Sequence, residues 1–493
     1  MHVKRDPCMF LRIYAVSMPR GHFIAAPDGF RGQTAGCRVV WPKEMPTQRR
    51  SRSVPAKEDA FYPLDNSAVF MAAIAGASGP FVFRLSCELD ETVHLRELQE
   101  ALSALAPRFP FLFAVLRSGV FWHYLDPDDR PPSVEAEARA PARPIRRGRS
   151  LVRVTAFGRR IACEFHHAVT DGTGAVALMR ALLVEYFLRR GLAEVPAELL
   201  AGIPRPGDPV DAGEEEDAYA RVFKPTATVP DRSPKAFRLG GTRRVSGYRE
   251  TVATVPLAEA LAAAKARNAS LTEFLAAVHM ATLQDLHDAL PPRRRRRARK
   301  VISLQIPVNL RKIYPSRTLR NFFLFAAPSM DLRLGRWEFD EILRRVHHQL
   351  RLGMEEKELL RQLKRNVGGE RNPFGRPVFL PIKTLVLRII NATIGVSAYS
   401  GSLSNIGPID LPSPIAAHVV GFSLLPSRSR STGANVCVLS WKDRLHITVG
   451  SVLRDREFER RFLSRLVDLG LPVEAASSEG WPRAEAARKG KPK

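Results

Sequence analysis

Cysteine is scarce in this chain of 493 residues. The five cysteines, at positions 8, 37, 87, 163 and 437, are odd in number, widely spaced and without a Cys-x-x-Cys pair. This argues against a disulfide framework or a cysteine zinc site and predicts a reducing, cytoplasmic setting, with Cys163 as a small apolar core residue. Long apolar runs are missing too. The nearest, 378–396, is interrupted by Lys383, Arg388 and Asn391, so no membrane span is predicted there. A helix packed on the second half of the protein fits that segment better, with peripheral contact to lipid as its other use. The first 56 residues lack the apolar core of a signal peptide, no Walker-type glycine loop occurs, and nothing repeats at a fixed period.

Carboxylates are also in deficit, with 50 Asp and Glu against 76 Lys and Arg, a formal net charge of +26. Such a balance, and the run Arg293 to Lys300 in particular, brings nucleic acid and anionic membranes into consideration. The run lies between a predicted helix and a predicted strand and has no interleaved aromatic residue on which a base could stack. It reads as a solvated loop, and nucleic-acid binding is not the favoured function.

The chemistry-bearing feature that is present is His166-His167-Ala168-Val169-Thr170-Asp171-Gly172. Four fixed positions of the form HHxxxDG arise by chance in such a chain on the order of once in 10³. Residues 161–165 read as a strand entering the motif and 173–190 as a helix leaving it. By strand alternation His167 shares a face with Phe165, Cys163 and Ile161, and His166 sides with Glu164 and Ala162, so His167 is the one expected to face a cavity. Asp171 stands where a helix cap would, which accounts for it without catalysis. Gly172 fits a turn equally well. A second pair, His347-His348, has Leu352 where the motif needs Asp and is read as ordinary helix.

The segment from His166 to Phe187 resembles the signature of the chloramphenicol acetyltransferase-like superfamily, which includes condensation domains, plant BAHD enzymes, wax ester synthases and bacterial alcohol acetyltransferase-like enzymes. The last group is the most similar, and the Asp-Phe-Gly-Trp-Gly segment of the plant branch is absent. Phe61-Tyr62-Pro63-Leu64-Asp65, Ile306 to Arg311 with Leu319-Arg320-Asn321-Phe322, and Leu403 to Pro408 fit the resemblance in order. It covers about residues 57–470.

The resemblance implies an α/β (α+β) fold of two lobes, each a mixed β-sheet with flanking helices, and an active-site tunnel at their interface. It implies that His167 is the general base, with His166 in support, in transfer of an acyl group, acetyl by preference, from acyl-CoA to a hydroxyl or amine acceptor. No tightly bound cofactor and no metal are expected. Asp171 would pair with Arg311 in a bidentate bridge, Gly172 would leave the channel open, and Ser404 and Asn405 are oxyanion candidates by analogy, a turn being their plainer reading. The alternative is a free-standing condensation enzyme taking its acyl group from a carrier protein.

Length and composition agree with two cores. We expect a disordered basic tail over 1–56, a first lobe over 57–203, a crossover linker over 204–242, a second lobe over 243–472 and a disordered tail over 473–493, in a monomer. Met45 is a candidate start, which an intact mass of the native protein would test: a terminus at Met1 or His2 rejects it. Strands are predicted at 81–86, 109–124, 248–255 and 301–308, and helices at 95–105, 257–267 and 270–290.

Overall fold

The computed structural model describes residues 61–477 apart from 77–78, 138–140, 193, 225–233, 240–243, 372–376 and 392–395. The basic tail with Cys8, Cys37 and Met45, part of the crossover, and residues 478–493 lie outside the described residues.

Two mixed sheets organise the rest. The first runs in the order Val419–Leu425, Val82–Leu89, Arg160–His166, Val152–Phe157, Val134–Ala136, antiparallel except for the last pair. The helices Leu95–Leu105 and Gly172–Arg190 cover it. Apolar residues at 98, 102 and 105 recur at helical spacing, and Leu98, Leu102 and Leu105 are all buried in the first core. Gly191, at φ +65°, ends the long helix in the left-handed conformation that a side chain would oppose. The opposite face of the strand Arg160–His166 is charged: Arg153 and Ala142 N–H both reach buried Glu164, and Arg84 bridges to Glu137.

The second sheet runs Phe323–Ala326, Val301–Asn309, Gly401–Pro408, Ala434–Trp441, Arg444–Leu453, Arg244–Pro256, Glu474–Ser477, and Ser329–Asp331 also pairs with Val301–Asn309. Against it pack Leu271–Asp288, which opens with a reciprocal capping box between Ser270 and Glu273, and the helices Phe339–Gly353 and Glu457–Asp468. A three-stranded sheet of Tyr62–Pro63, His123–Asp126 and Val115–Ser118 stands apart from both.

Several expectations need correction. The stretch 109–124 is not one strand: Phe109, Phe111, Leu112 and Phe113 are buried in turns after a 3₁₀ turn at Ala106–Arg108, and strands begin only at Val115 and His123. Pro107 and Pro110 withhold the amide hydrogens a ladder needs, and the aromatic run signals burial without signalling a strand. The arginine run is a short exposed helix, Pro292–Arg297, rather than a loop. Residues 474–477, expected in the tail, are instead a strand, Glu474–Ser477, that pairs with Thr251–Thr254 at the sheet edge. The stretch Val419–Leu425, deep in the second half of the chain, joins the first sheet, so chain order and spatial order part company there. The helix within 378–396, Leu380–Ile390, leans on the first half, with Arg388 Nε donating to Ala73 O at 3.2 Å and Leu380 N to Val120 O at 3.0 Å.

Within its described residues the crossover carries more structure than its composition implies. Its helix Ala218–Val222 buries Tyr219, whose hydroxyl donates to Phe323 O at 2.7 Å and accepts from Phe323 N at 3.0 Å. Arg108 forks onto Glu214 at 2.7 and 3.0 Å, and Leu319 N reaches Glu214 O at 2.8 Å, so this segment straps the two halves together. Tyr219→Phe removes the partner of a buried backbone pair, and we expect it to cost about 1–3 kcal/mol in urea unfolding. A variant within about 0.5 kcal/mol of wild type would show that the strap carries no stability.

Candidate active site

His167 begins the turn after the strand Arg160–His166, and its N–H donates to Phe81 O at 2.7 Å. Its ring lies 4.4 Å, centroid to centroid, from Phe83 of the first sheet and 6.3 Å, edge-on, from Phe323 of the second. Phe165 stacks on the same Phe83 at 5.3 Å, so the shared face expected for His167 and Phe165 is what the structure has. The imidazole therefore occupies the seam between the sheets. It is partly exposed, whereas His166 is buried and accepts Ala168 N–H at Nδ1, 3.0 Å away. Burial pushes His167 down to about 4 against the opposing pull of Asp171, and burial followed by the neighbouring His167 takes His166 to about 4. Both rings are neutral at neutral pH, and a neutral ring can accept a proton.

Asp171 divides its carboxylate. Oδ1 caps the helix Gly172–Arg190 through Thr173 N at 2.9 Å; Oδ2 accepts from Arg311 Nη1 at 2.8 Å and from Phe322 N at 3.0 Å. The cap and the arginine partner, alternatives in the sequence, thus coexist on one side chain. The bridge is not the bidentate fork expected, because Arg311 spends Nε on Thr318 O and Nη2 on Arg320 O. Those bonds hold the loop 318–322 against the end of the motif.

Gly172 is required by a close approach. A Cβ there would lie 2.8 Å from Cγ2 of Ile406, on the strand Gly401–Pro408. That strand pairs with Val301–Asn309 only at Gly401 and Ser402, then follows Ala434–Trp441 instead. The two strands diverge where Ile406 meets the motif. Ser404 sits opposite Cys437. Asn405 donates from Nδ2 to Thr272 Oγ1 at 3.1 Å and accepts Gly407 N–H at Oδ1, 2.9 Å away, which closes a local turn. The structure brings His166, His167, Asp171, Gly172 and Arg311 together, while the Asn405 amide is engaged elsewhere.

No protein-family model matches the sequence, and no curated protein matches it. Solved structures do match the fold. Polyketide synthase associated protein 5 from Mycobacterium tuberculosis aligns over 82% of this chain and 96% of its own, with TM-score 0.52 and 16% identity. The epimerization domain from the third module of tyrocidine synthetase B aligns over 83% and 96%, with TM-score 0.51 and 13% identity. The trichothecene 15-O-acetyltransferase from Fusarium sporotrichioides aligns over 83% and 94%, with TM-score 0.53 and 11% identity. The chain has the two-lobed, chloramphenicol acetyltransferase-like fold of condensation domains.

Within this condensation-domain fold, sequence reasoning missed four residues around the histidine. Asn321 donates from Nδ2 to His167 O at 2.8 Å and to Asp65 Oδ2 at 3.1 Å, so one amide spans both halves. Asp65 caps Asn66–Ile74 through Ala68 N at 2.8 Å, and burial raises its carboxyl to about 6 against the pull of Arg320. Phe81 adopts φ +52°, a strained conformation for a side-chain-bearing residue, and presents its carbonyl to His167 N–H. Gly174 clears the way for Thr170 Oγ1, which donates to Leu319 O at 2.6 Å: a Cβ would stand 2.1 Å from that hydroxyl and 2.4 Å from that carbonyl. The Leu319-Arg320-Asn321-Phe322 segment was singled out in the sequence, but nothing in it revealed that Asn321 faces the motif.

Two measurements check this geometry. Gly174→Ala should lose about 1–3 kcal/mol of stability, since neither a backbone carbonyl nor a bonded threonine can yield cheaply; unchanged unfolding would contradict the packing. His167 keeps a folded pKa of about 4 against 6.5 for the free ring. Between those values the unfolded chain binds the extra proton, so the stability of wild type relative to His167→Gln should fall as pH drops from 6.5 to 4. A difference independent of pH over that window would contradict the burial of a neutral ring.

Proposed function

We propose that the protein is an acyltransferase that moves an acyl group from a thioester to a hydroxyl acceptor, with His167 as general base. The observation that carries the reading is the neutral, partly exposed His167 ring held at the seam between the sheets by Phe83 and Phe323. One free ring nitrogen takes the proton of the acceptor O–H as its oxygen bonds to the thioester carbon. The C–S bond of the resulting tetrahedral adduct then breaks, and the thiolate recovers the proton from the imidazolium. The products are an ester and a free thiol, and the histidine is returned neutral. Asp171 touches no reactant in this scheme: with Arg311 it fixes the turn that presents His167. His166, accepting Ala168 N–H, stiffens the same turn, and Gly172 lets Ile406 approach.

The proposed donor is acyl-CoA, acetyl-CoA first, used as a co-substrate; a carrier-protein thioester is the second reading. The Fusarium fold relative is described as a 15-O-acetyltransferase, which supports acetyl transfer to a hydroxyl, and another fold relative is described as a domain of tyrocidine synthetase B, which is why the second donor is tested beside the first. A fold hosts several chemistries, so the decision rests on the reaction. Thiol release should be followed with acetyl-CoA and with an acylated carrier protein, against a panel of alcohols and amines. The reading predicts acceptor-dependent release from acetyl-CoA that His167→Ala lowers by about 10²–10⁴-fold with unchanged melting. Release from the carrier protein alone would favour the second donor. Full activity in the His167 variant would refute the base.

A further inference from the structure

A broad apolar surface lies outside the site and serves no part of the proposed reaction. The eleven-residue helix Leu380–Ile390 shows Ile382, Leu385, Val386 and Ile389 at i, i+3, i+4 and i+7, which is one stripe of an α-helix. In a water-soluble surface helix such a stripe faces the core; here its members are 46–60% exposed. The turn of the hairpin between Val115–Ser118 and His123–Asp126 extends the patch. Phe121 and Trp122 are 38% and 54% exposed there, and the helix is pinned to this turn by Leu380 N to Val120 O at 3.0 Å and Lys383 Nζ to Phe121 O at 2.9 Å. A contiguous patch of this kind marks an interaction surface.

Charge selects the occupant. Lys383 and Arg388 are the only ionisable residues from 377 to 391, which contains no carboxylate, on a chain of net charge +26. A second copy would bring a like-charged surface to the patch. Residues 1–60 are no better suited, with eleven Lys and Arg against five Asp and Glu. An anionic bilayer offers what neither does: hydrocarbon for the stripe, an interfacial zone for Trp122, and negative headgroups for the two cations. Eleven residues are too few to span, so the helix lies in the interface plane.

We propose that the helix Leu380–Ile390 and the hairpin turn at Phe121 and Trp122 form a docking surface for anionic lipid bilayers. The test is flotation of the full chain with phosphatidylcholine vesicles, with and without phosphatidylglycerol, beside an Ile382→Gln/Leu385→Gln variant and a Phe121→Ser/Trp122→Ser variant. Because these side chains are exposed, the variants should melt as wild type does. Wild type should float with the anionic vesicles at least about tenfold better than with neutral ones, and each variant should lose about tenfold of that binding. Three results would overturn the proposal: wild type that ignores anionic vesicles, variants that float as wild type does, or a wild-type dimer that the variants dissolve.

Discussion

Asp171 is the residue on which the site's geometry depends. Its carboxylate is buried and has four bonding directions, and three are used on different parts of the chain: the first turn of its own helix, the Arg311 guanidinium and the backbone N–H of Phe322. A buried carboxylate with fewer partners would be costly, so the loop 318–322 and the 3₁₀ turn Leu310–Lys312 are drawn to it as firmly as it is drawn to them. The first sheet supplies the motif and the second supplies the partners. What joins the two lobes is a hydrogen-bond node on one buried carboxylate rather than apolar contact alone.

The position of His167 follows from this node. Once loop 318–322 is fixed, Asn321 reaches back to the carbonyl of His167, Thr170 binds Leu319 O, and Phe323 comes edge-on to the imidazole. On the other side Phe83 and the strained Phe81 complete the setting. Glycine at 172 and 174 is needed because Ile406 and the Leu319 carbonyl come closer there than a methyl group allows. The ring is therefore oriented by backbone and aromatic neighbours, and the acid nearby in sequence turns its oxygens away to other partners. A ring set among these neighbours stays neutral and so has a lone pair with which to accept a proton.

How much of this was legible in the sequence depended on the range of the interaction. The strand 160–166 and the helix 172–190 were read to within a residue, because alternation and a capping aspartate are local signals. The Leu95–Leu105 helix was readable for the same reason. The residues 109–114 were misread because an aromatic run records burial without recording conformation. Strand 419–425 could not be assigned to the first sheet from its own composition, since pairing with Val82–Leu89 is a fact about two distant segments. The Asp171–Arg311 pair was reached through the family resemblance alone. Asp65 and Asn321 stand in segments that the resemblance picked out, but nothing local gave them or Tyr219 a partner, and only the folded chain shows them joined across 100 residues or more.

The central claim is that the carboxylate of Asp171 and the guanidinium of Arg311 act as one unit holding the lobes in register. The most direct measurement is a double-mutant cycle on unfolding free energy, with Asp171→Asn, Arg311→Gln and the pair. Residues in one buried network couple by about 0.5–3 kcal/mol, and the pair should fall in the upper half of that range, with the double variant scarcely worse than either single. Single effects that add to within about 0.3–0.5 kcal/mol would mean that the two side chains are independent, and the node would not be what joins the lobes.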